Sequence, residues 1–405
     1  MTSSEARSTG SFTYRLSVAL MLAAVALLVL GGCARGRTTA SQSWSGVAVV
    51  KNADGEATAF IGTKEGRLVQ LTLANARGGG QLVQRGKAYG PPDTDGDTTP
   101  AFYGTPTVAS GRVFVGGYNG VVYSLNAESL SDERSWTVDG NPLAQGIAGG
   151  VIPVETPAGL RLVVAASEDS DVGRLYVLDA LSLREHCRYP GEGLPGIGQL
   201  WTTPTVVDGI AYFGDLDHRV HAVSIDDCVA RWDQPAELGG GVSAAPVIVG
   251  NNLYVGAFDR TLYAIGRSNG QPRVLLTAES WFWAGAATDG SRIYAPNLDG
   301  RLYIYDIASG SPIPAAEFDD DDPILSTPVI VGGRVIVASD SGAVRLLDRN
   351  GDQLHSISVG DKVRANLVAV GDIVYVHALD EGVSAFRVSD RFLDDEWERD
   401  LDDID

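Results

Sequence analysis

The chain has 405 residues, long enough for two or three ordinary domains or for one large repeat domain. Its 31 basic and 51 acidic side chains give a formal net charge of −20, which argues against nucleic acid as a partner because a polyanion would be repelled. Its 49 glycines, with abundant Val, Ile and Tyr, favour strands and turns.

Residues 1–32 have the pattern of a signal peptide. Arg7 and Arg15 precede an apolar run from Leu16 to Leu30, which is short for a membrane-spanning helix of about 20 apolar residues. The following Gly-Gly-Cys33 resembles the end of a bacterial lipobox, which predicts cleavage before Cys33 and lipidation of that residue. An uncleaved anchor and a plain secretory peptide are the alternatives. All three place the body of the protein outside the cytoplasm, after a linker over residues 33–43.

From residue 44 to residue 389 the sequence repeats one pattern. The stretch TPTVASGRVFVGGYNGVVYSL, from Thr105 to Leu125, returns as TPTVVDGIAYFGDLDHRVHAV, from Thr203 to Val223. The end of the third strand recurs at intervals of 54, 53, 45, 42, 40, 42 and 39 residues. These eight ends are Leu71, Leu125, Leu178, Val223, Ile265, Tyr305, Leu347 and Phe386. Eight copies at this spacing predict eight supersecondary units.

Each copy predicts a four-stranded β-meander. Turn sequences such as VDGI and YNGV contain residues that accept positive φ, as tight hairpins require. The stretch VIVGGRVIVAS is almost wholly apolar, which is typical of strands buried on both faces. A single meander cannot cover both faces, whereas radial packing around an axis does. The sequence therefore predicts an all-β, eight-bladed β-propeller of antiparallel blades over residues 44–389, with a seven-bladed propeller as the alternative.

The units resemble the repeat of pyrroloquinoline-quinone (PQQ) dehydrogenase propellers, in which Leu-Asp-Ala-x-Thr-Gly follows the third strand and a Trp comes shortly afterwards. The matching stretches are LDALSLREHC from Leu178, VSIDDCVARW from Val223, YDIASGSPIP from Tyr305 and LDRNGDQLHS from Leu347. Trp232 stands at the Trp position, and Cys187 stands there in the preceding repeat. The resemblance implies the fold and carries almost no information about a cofactor.

Among proteins with this repeat, the chain resembles the BamB family of outer-membrane assembly lipoproteins, which have a signal peptide, a lipobox and eight PQQ-like blades. This resemblance implies a non-catalytic propeller that binds protein partners in the cell envelope. It further implies a lipid anchor on Cys33, either on the outer face of the plasma membrane or in a periplasm. We expect a monomer.

The alternative function is that of a PQQ-dependent dehydrogenase or a small-ligand sensor. The dehydrogenases hold the quinone against a disulfide between adjacent cysteines, and this sequence has no adjacent cysteine pair. We therefore expect no PQQ and no catalysis.

Aromatic residues precede the innermost strand of several repeats. Because successive blades superpose, these side chains are expected to surround one end of the central channel, where they suit a peptide, a sugar or a partner loop. Packing between blades is the alternative. The candidate rim consists of Trp44, Phe102, Tyr103, Trp201, Trp281, Phe282 and Trp283.

Two cysteines remain besides Cys33. Cys187 and Cys228 fall in the outer regions of neighbouring repeats, and an oxidising location outside the cytoplasm favours a disulfide between them. Sequence alone does not decide whether the geometry allows it.

Metal ligands are sparse. Asp93, Asp95 and Asp97 match the first oxygen ligands of a Ca²⁺ loop, but the sixth position lacks Gly and the twelfth lacks Glu. A solvated loop is the alternative. His218 and His221 have no third ligand nearby, so no metal is expected there.

Residues 390–405 form an acidic tail that places Leu393, Trp397, Leu401 and Ile404 at helical spacing. This pattern predicts an amphipathic helix docked on the flank of the propeller. A partner groove and the absence of fixed structure are the alternatives.

Overall fold

The computed structural model describes residues 45–51, 56–63, 66–75, 81–90, 101–143, 145–169, 171–318, 322–379 and 382–401. The predicted signal peptide, Cys33 and the linker lie outside these residues. Within them, all named elements are β-strands, and they form eight sheets of four antiparallel strands. No helix in this part of the chain has the length and apolarity needed to cross a bilayer. The eight-bladed prediction is therefore confirmed.

The first four blades each take four strands in chain order. Blade 1 consists of β1 (Val47–Lys51), β2 (Ala57–Gly62), β3 (Leu68–Asn75) and β4 (Gln81–Tyr89). Blade 2 consists of β5 (Thr107–Ala109), β6 (Arg112–Gly116), β7 (Val122–Asn126) and β8 (Arg134–Trp136). Blade 3 consists of β9 (Ile152–Thr156), β10 (Gly159–Asp169), β11 (Val172–Asp179) and β12 (Glu185–Tyr189). Blade 4 consists of β13 (Thr205–Val207), β14 (Ile210–Gly214), β15 (Arg219–Ser224) and β16 (Ala236–Glu237).

The last four blades follow the same order. Blade 5 consists of β17 (Val247–Val249), β18 (Asn252–Gly256), β19 (Thr261–Gly266) and β20 (Pro272–Thr277). Blade 6 consists of β21 (Ala287–Thr288), β22 (Arg292–Pro296), β23 (Leu302–Asp306) and β24 (Ser311–Ala316). Blade 7 consists of β25 (Val329–Val331), β26 (Arg334–Ala338), β27 (Ala343–Leu347) and β28 (Gln353–Ser358). Blade 8 consists of β29 (Val368–Val370), β30 (Ile373–Ala378), β31 (Gly382–Val388) and β32 (Leu393–Arg399).

The helix predicted for the C-terminal tail is wrong, because the tail supplies the outermost strand of blade 8. β32 pairs with β31 along its length, and the propeller therefore extends to Arg399 instead of ending at residue 389. Leu393 is buried, and Trp397 packs on Tyr375 with ring centroids 6.1 Å apart. A helix would place both side chains on one face, whereas a β-bulge within β32 shifts the register, so that Leu393 packs toward blade 7 and Trp397 toward blade 1. The strand also pairs the edge that β31 would otherwise leave open.

The ring closes by contact between blades 1 and 8. β29 contacts β1, and β32 contacts β4. Ile61 and Leu71 of blade 1 share a buried apolar cluster with Ile373 and Tyr375 of blade 8. Among the described residues, buried side chains form eight such clusters, each between adjoining blades. The hydrophobic core is therefore a ring of interblade layers, as expected for meanders that cannot cover their faces alone.

Close approach between blades depends on small residues near the channel. The backbone N–H of Gly150 donates to Oγ1 of Thr203 in the next blade at 2.8 Å, and Gly285 donates to Thr327 in the same way at 3.1 Å. A Cβ at either glycine would press on the threonine side chain. The two glycines therefore allow the inner ends of neighbouring blades to approach closely.

Candidate functional site

One face of the propeller, which we call the turn face, consists of the second hairpin turns of the blades and the loops that enter them, as far as these residues are described. The backbone N–H of Phe258, in the turn of blade 5, donates to the carbonyl of Gly241 in the entering loop at 3.0 Å. Leu298 donates in the same way to Trp281 at 3.1 Å. The pairing recurs between Tyr118 and Ala101, Leu216 and Gln199, and Asp340 and Pro323. Loops and turns are thus held side by side by backbone hydrogen bonds.

Four aromatic side chains on the turn face form what we call the aromatic stack. Phe258 lies between Trp281 and Trp283, with ring centroids 5.0 and 5.6 Å apart and interplanar angles of 18° and 9°. Trp283 also contacts Trp201, at 6.0 Å and 56°. All four side chains are half-buried. Because Trp201 enters blade 4 and the other two indoles enter blade 6, the stack bridges three blades.

The prediction that Phe102 and Phe282 belong to an exposed rim is wrong. They are 0% and 1% exposed, and each contacts a tyrosine of its own blade edge-on. Each inserts between blades at a glycine that ends the second strand of the preceding blade, Gly62 for Phe102 and Gly256 for Phe282, where a side chain would collide with the phenylalanine. Burial of one such ring contributes about 1.5–3 kcal/mol. These two residues are core.

The other predicted rim residues are divided between two places. Trp201, Trp281 and Trp283 come together in the aromatic stack. Tyr103 forms a separate edge-on pair with Tyr118, at 5.0 Å. Trp44 lies outside the described residues.

Sequence reasoning missed Phe258 and Tyr118, because it considered only the segments that precede the innermost strands. The two residues occupy equivalent positions in second hairpin turns, in blades 5 and 2. Alignment of the turns YNG and FDR with the corresponding turn LDG of blade 6 would have shown an aromatic residue where blade 6 has Leu298. That is the signal that could have found them.

Carboxylates fix the turns beside the aromatic stack. Asp299 accepts from the hydroxyl of Tyr303 at 2.8 Å and from the backbone N–H of Glu279 at 3.2 Å. Asp259 accepts from Tyr263 in the same way. Burial raises the pKa of both tyrosines, and the neighbouring aspartate raises it further, so both hydroxyls stay protonated and donate. The turns are therefore rigidly placed and carry negative charge.

A disulfide joins Cys187 on β12 to Cys228 in the last turn of blade 4, with Cα atoms 5.9 Å apart. One blade further on, Trp232 packs on the equivalent turn and donates from Nε1 to the carbonyl of Arg267 at 2.8 Å. Gly270 lies under that indole with φ of 68°, and Cys228 has the same left-handed conformation with φ of 52°. The disulfide between blades 3 and 4 therefore replaces the contact that Trp232 makes with Gly270 between blades 4 and 5.

The position of this disulfide does not fit a quinone site of the dehydrogenase type. Such a site needs a disulfide between adjacent cysteines at the channel mouth, whereas Cys187 and Cys228 are 41 residues apart at the outer edge of blades 3 and 4. The candidate Ca²⁺ ligands Asp93, Asp95 and Asp97 lie outside the described residues, so the calcium loop stays a prediction.

His221 is used inside the propeller. Its Nε2 lies 2.8 Å from Oδ2 of Asp215, and both residues are almost fully buried. The other carboxylate oxygen of Asp215 accepts from the backbone N–H of Arg219, and the imidazole stacks on Phe213. Among the described residues, no group of three or more His, Cys, Asp or Glu side chains is placed to hold a metal ion. The pair ties the second turn of blade 4 to its third strand.

The fold and the repeat define a PQQ-like propeller, and comparison with known proteins identifies the family. A family model described as "Outer membrane protein assembly factor BamB" matches residues 120–277, 156–313 and 277–398. Because these overlapping matches cover more than half of the chain, the protein belongs to the BamB family.

Individual relatives are distant. BamB of Shewanella oneidensis is 25% identical over 289 residues, which is 67% of each chain. BamB of Alkalilimnicola ehrlichii is 26% identical over 46% of this chain and 51% of its own. BamB of Escherichia coli is 26% identical over 59% of each chain. The matches thus span between about half and two thirds of these relatives.

Solved structures show the same architecture. The crystal structure of BamB from Moraxella catarrhalis superposes with a TM-score of 0.63 at 16% identity, over 84% of this chain and 96% of the other. A computationally designed protein, Ika8, superposes with a TM-score of 0.62 at 16% identity, over 86% and 97%. At this identity the likeness shows the fold alone.

Proposed function

We propose that this protein is a non-catalytic scaffold that binds other proteins during assembly in the cell envelope, held at the membrane by lipid on Cys33. The observation that carries the proposal is the match to the BamB family over residues 120–398, since relatives in that family are named as outer membrane protein assembly factors. The lipobox-like sequence before Cys33 supports the anchor. The expected location is therefore extracytoplasmic.

The aromatic stack supports a protein partner. Trp and Tyr dominate the energetic centres of protein interfaces because they bury a large area at low cost in side-chain entropy. The stack spans three blades, is half-buried and stands on turns fixed by hydrogen bonds. The proposed scaffold requires no PQQ and no Ca²⁺, and it acts as a monomer.

Site-specific photo-crosslinking of the full-length protein in its native cells tests the proposal. A photoreactive phenylalanine analogue replaces Phe258 on the turn face or, as the control, Leu181, which is 56% exposed in the last turn of blade 3 on the other face. We expect a discrete crosslinked envelope protein from position 258 and none from position 181. A Cys33→Ala variant should leave the membrane fraction.

Two results would contradict the proposal. One is the absence of any crosslinked protein from position 258 or from a second turn-face position, Tyr118. The other is dye reduction by the purified protein after addition of PQQ and Ca²⁺, which would show a quinoprotein enzyme instead.

A further inference from the structure

The aromatic stack presents unused hydrogen-bond donors. Trp201, Trp281 and Trp283 each carry an indole N–H, and none of the three donates to another described residue. None of these nitrogens is among the fully buried unpartnered atoms of the described chain, so each keeps some contact with solvent. By contrast, the indole of Trp232 is used within the fold, on the carbonyl of Arg267. The stack thus has an apolar strip with three donors at its surface.

Donors of this kind select an extended segment. An indole N–H can only donate, so its partner must offer acceptors. The carbonyls of a helix are already bonded within the helix, whereas an extended chain offers a free carbonyl at every residue. A strip that bridges three blades fits several consecutive residues of such a chain.

Charge around the stack selects the side chains of that segment. Four carboxylates lie in the turns and loops that hold the stack, namely Asp217, Asp259, Glu279 and Asp299. Asp217 and Glu279 are exposed, and the bond from Leu216 to Gln199 sets the Asp217 turn beside the loop that leads to Trp201. Arg260 and Arg301 are the cations of the same turns, and Arg301 is paired with Glu317, so the carboxylates outnumber the cations. The whole chain carries −20, so a basic partner is attracted over long range.

We propose that the aromatic stack binds an extended, arginine-bearing segment of a partner protein. Its backbone carbonyls accept from the indole N–H groups, and its guanidinium groups lie on the outer ring faces and pair with the turn carboxylates. Arginine fits better than lysine because a planar guanidinium stacks on an indole while its N–H groups bind a carboxylate. The inference rests on the proposed function and names the chemistry of the partner segment.

Tryptophan fluorescence and calorimetry with two synthetic peptides test the proposal on the purified protein. One peptide is a flexible Gly/Ser chain with spaced arginines, and the other has citrulline, the neutral isostere, at every arginine. We expect saturable binding of the arginine peptide that weakens as salt rises, and at least tenfold weaker binding of the citrulline peptide. Equal binding of the two peptides, or no binding of either, overturns the proposal.

Variants separate the two parts of the site. Trp283→Phe keeps an aromatic ring in the stack and removes one donor, and we expect an affinity loss of about 3- to 10-fold. Asp217→Asn with Glu279→Gln removes exposed charge without touching the stack, and should reduce both the affinity and its salt dependence. Trp232→Phe is the control, because its donor serves the fold, and peptide affinity should not change. Unchanged affinity in both test variants overturns the proposal.

The outcomes distinguish this inference from the proposed function. If position 258 crosslinks to an envelope protein while the arginine peptide does not bind, the arginine segment is wrong and the scaffold stands. If no envelope protein is captured at all, the proposed function itself fails.

Discussion

Nδ1 of His377 donates a hydrogen bond to the backbone carbonyl of Ser45 at 2.7 Å, which links the last blade to the residue that leads into the first. Because a carbonyl can only accept, this contact requires the proton on Nδ1. Both residues are buried. Since every sheet in the described part of the chain is built from consecutive strands, none of those strands is shared across this seam, which depends on side-chain packing and on this bond.

Loss of this bond should loosen the seam specifically. We expect His377→Ala to lower the free energy of unfolding by about 1–3 kcal/mol, because the Ser45 carbonyl is left buried without its partner. Hydrogen exchange should accelerate most in β1 and β30. The control is Ser326→Ala, which removes a buried bond to the carbonyl of Ala338 inside blade 7. If β1 stays as protected in His377→Ala as in the control, the seam does not depend on this bond.

The disulfide should contribute substantially to stability. It closes a long loop, with its cysteines 41 residues apart, and replacement of both by Ser should cost about 2–4 kcal/mol in denaturant unfolding. The double variant Cys187→Trp with Cys228→Gly copies the contact of Trp232 with Gly270, and should recover part of that loss. Reduction of the wild-type protein should mimic the serine variant. An unchanged unfolding midpoint after reduction would contradict this role.

Asp289 should make stability depend on acid pH. Although burial raises the pKa of its carboxyl, hydrogen bonds from Ser291, Arg292 and Arg349 prevail and lower it to about 2. A lowered folded pKa stabilises the protein above the unfolded value near 3.8, and this contribution is lost as pH falls toward 2. The gap in unfolding free energy between wild type and Asp289→Asn should therefore narrow from pH 5 to pH 2.

The matched control for Asp289 is Asp208, which pairs with Arg267 between blades 4 and 5 but has a side chain 76% exposed. Exposed ion pairs contribute about 0–1 kcal/mol, so Asp208→Asn should change stability little at neutral pH. Equal losses in the two variants would show that burial of Asp289 is not the cause.

The glycine that receives Phe282 should not tolerate a side chain. We expect Gly256→Ala to cost about 1–3 kcal/mol, because its Cβ would collide with that of Phe282. Gly90→Ala is the control, since no atom lies within 4 Å of a Cβ there. In a double-mutant cycle, Phe282→Gly, which removes the colliding Cβ, should relieve the clash, so additive losses would refute the contact.

The repeat made the fold predictable, whereas the local hydrophobic pattern of the tail gave a wrong prediction. Eight meanders follow from periodic turns and apolar strands, because only mutual packing covers their faces. The tail was misassigned because the spacing of Leu393 and Trp397 suits a helix, and no local pattern signals the β-bulge that places them on opposite faces of β32. For Trp281, Phe282 and Trp283, alternation along an extended chain predicts that the middle ring faces opposite to its neighbours, and it is the buried one.

The aromatic stack was only partly predictable. Trp201 and Trp283 are 82 positions apart in the sequence, and their contact depends on how far two loops reach over blade 5. Phe258 enters from a hairpin turn whose direction is set by Asp259 and Tyr263. No local pattern carries that information, because it arises from the superposition of neighbouring blades.

Each of the eight described blades is formed by one consecutive segment of chain, so none of the described sheets needs a strand from a distant part of the sequence. A tandem duplication or deletion of roughly one repeat would change the circumference of the ring while leaving every sheet whole. Cutting at any entering loop and joining the old ends at the seam would likewise give a permuted chain with the same sheets. Duplication, deletion or circular permutation of the gene can therefore change the number or the order of the blades while each sheet stays whole.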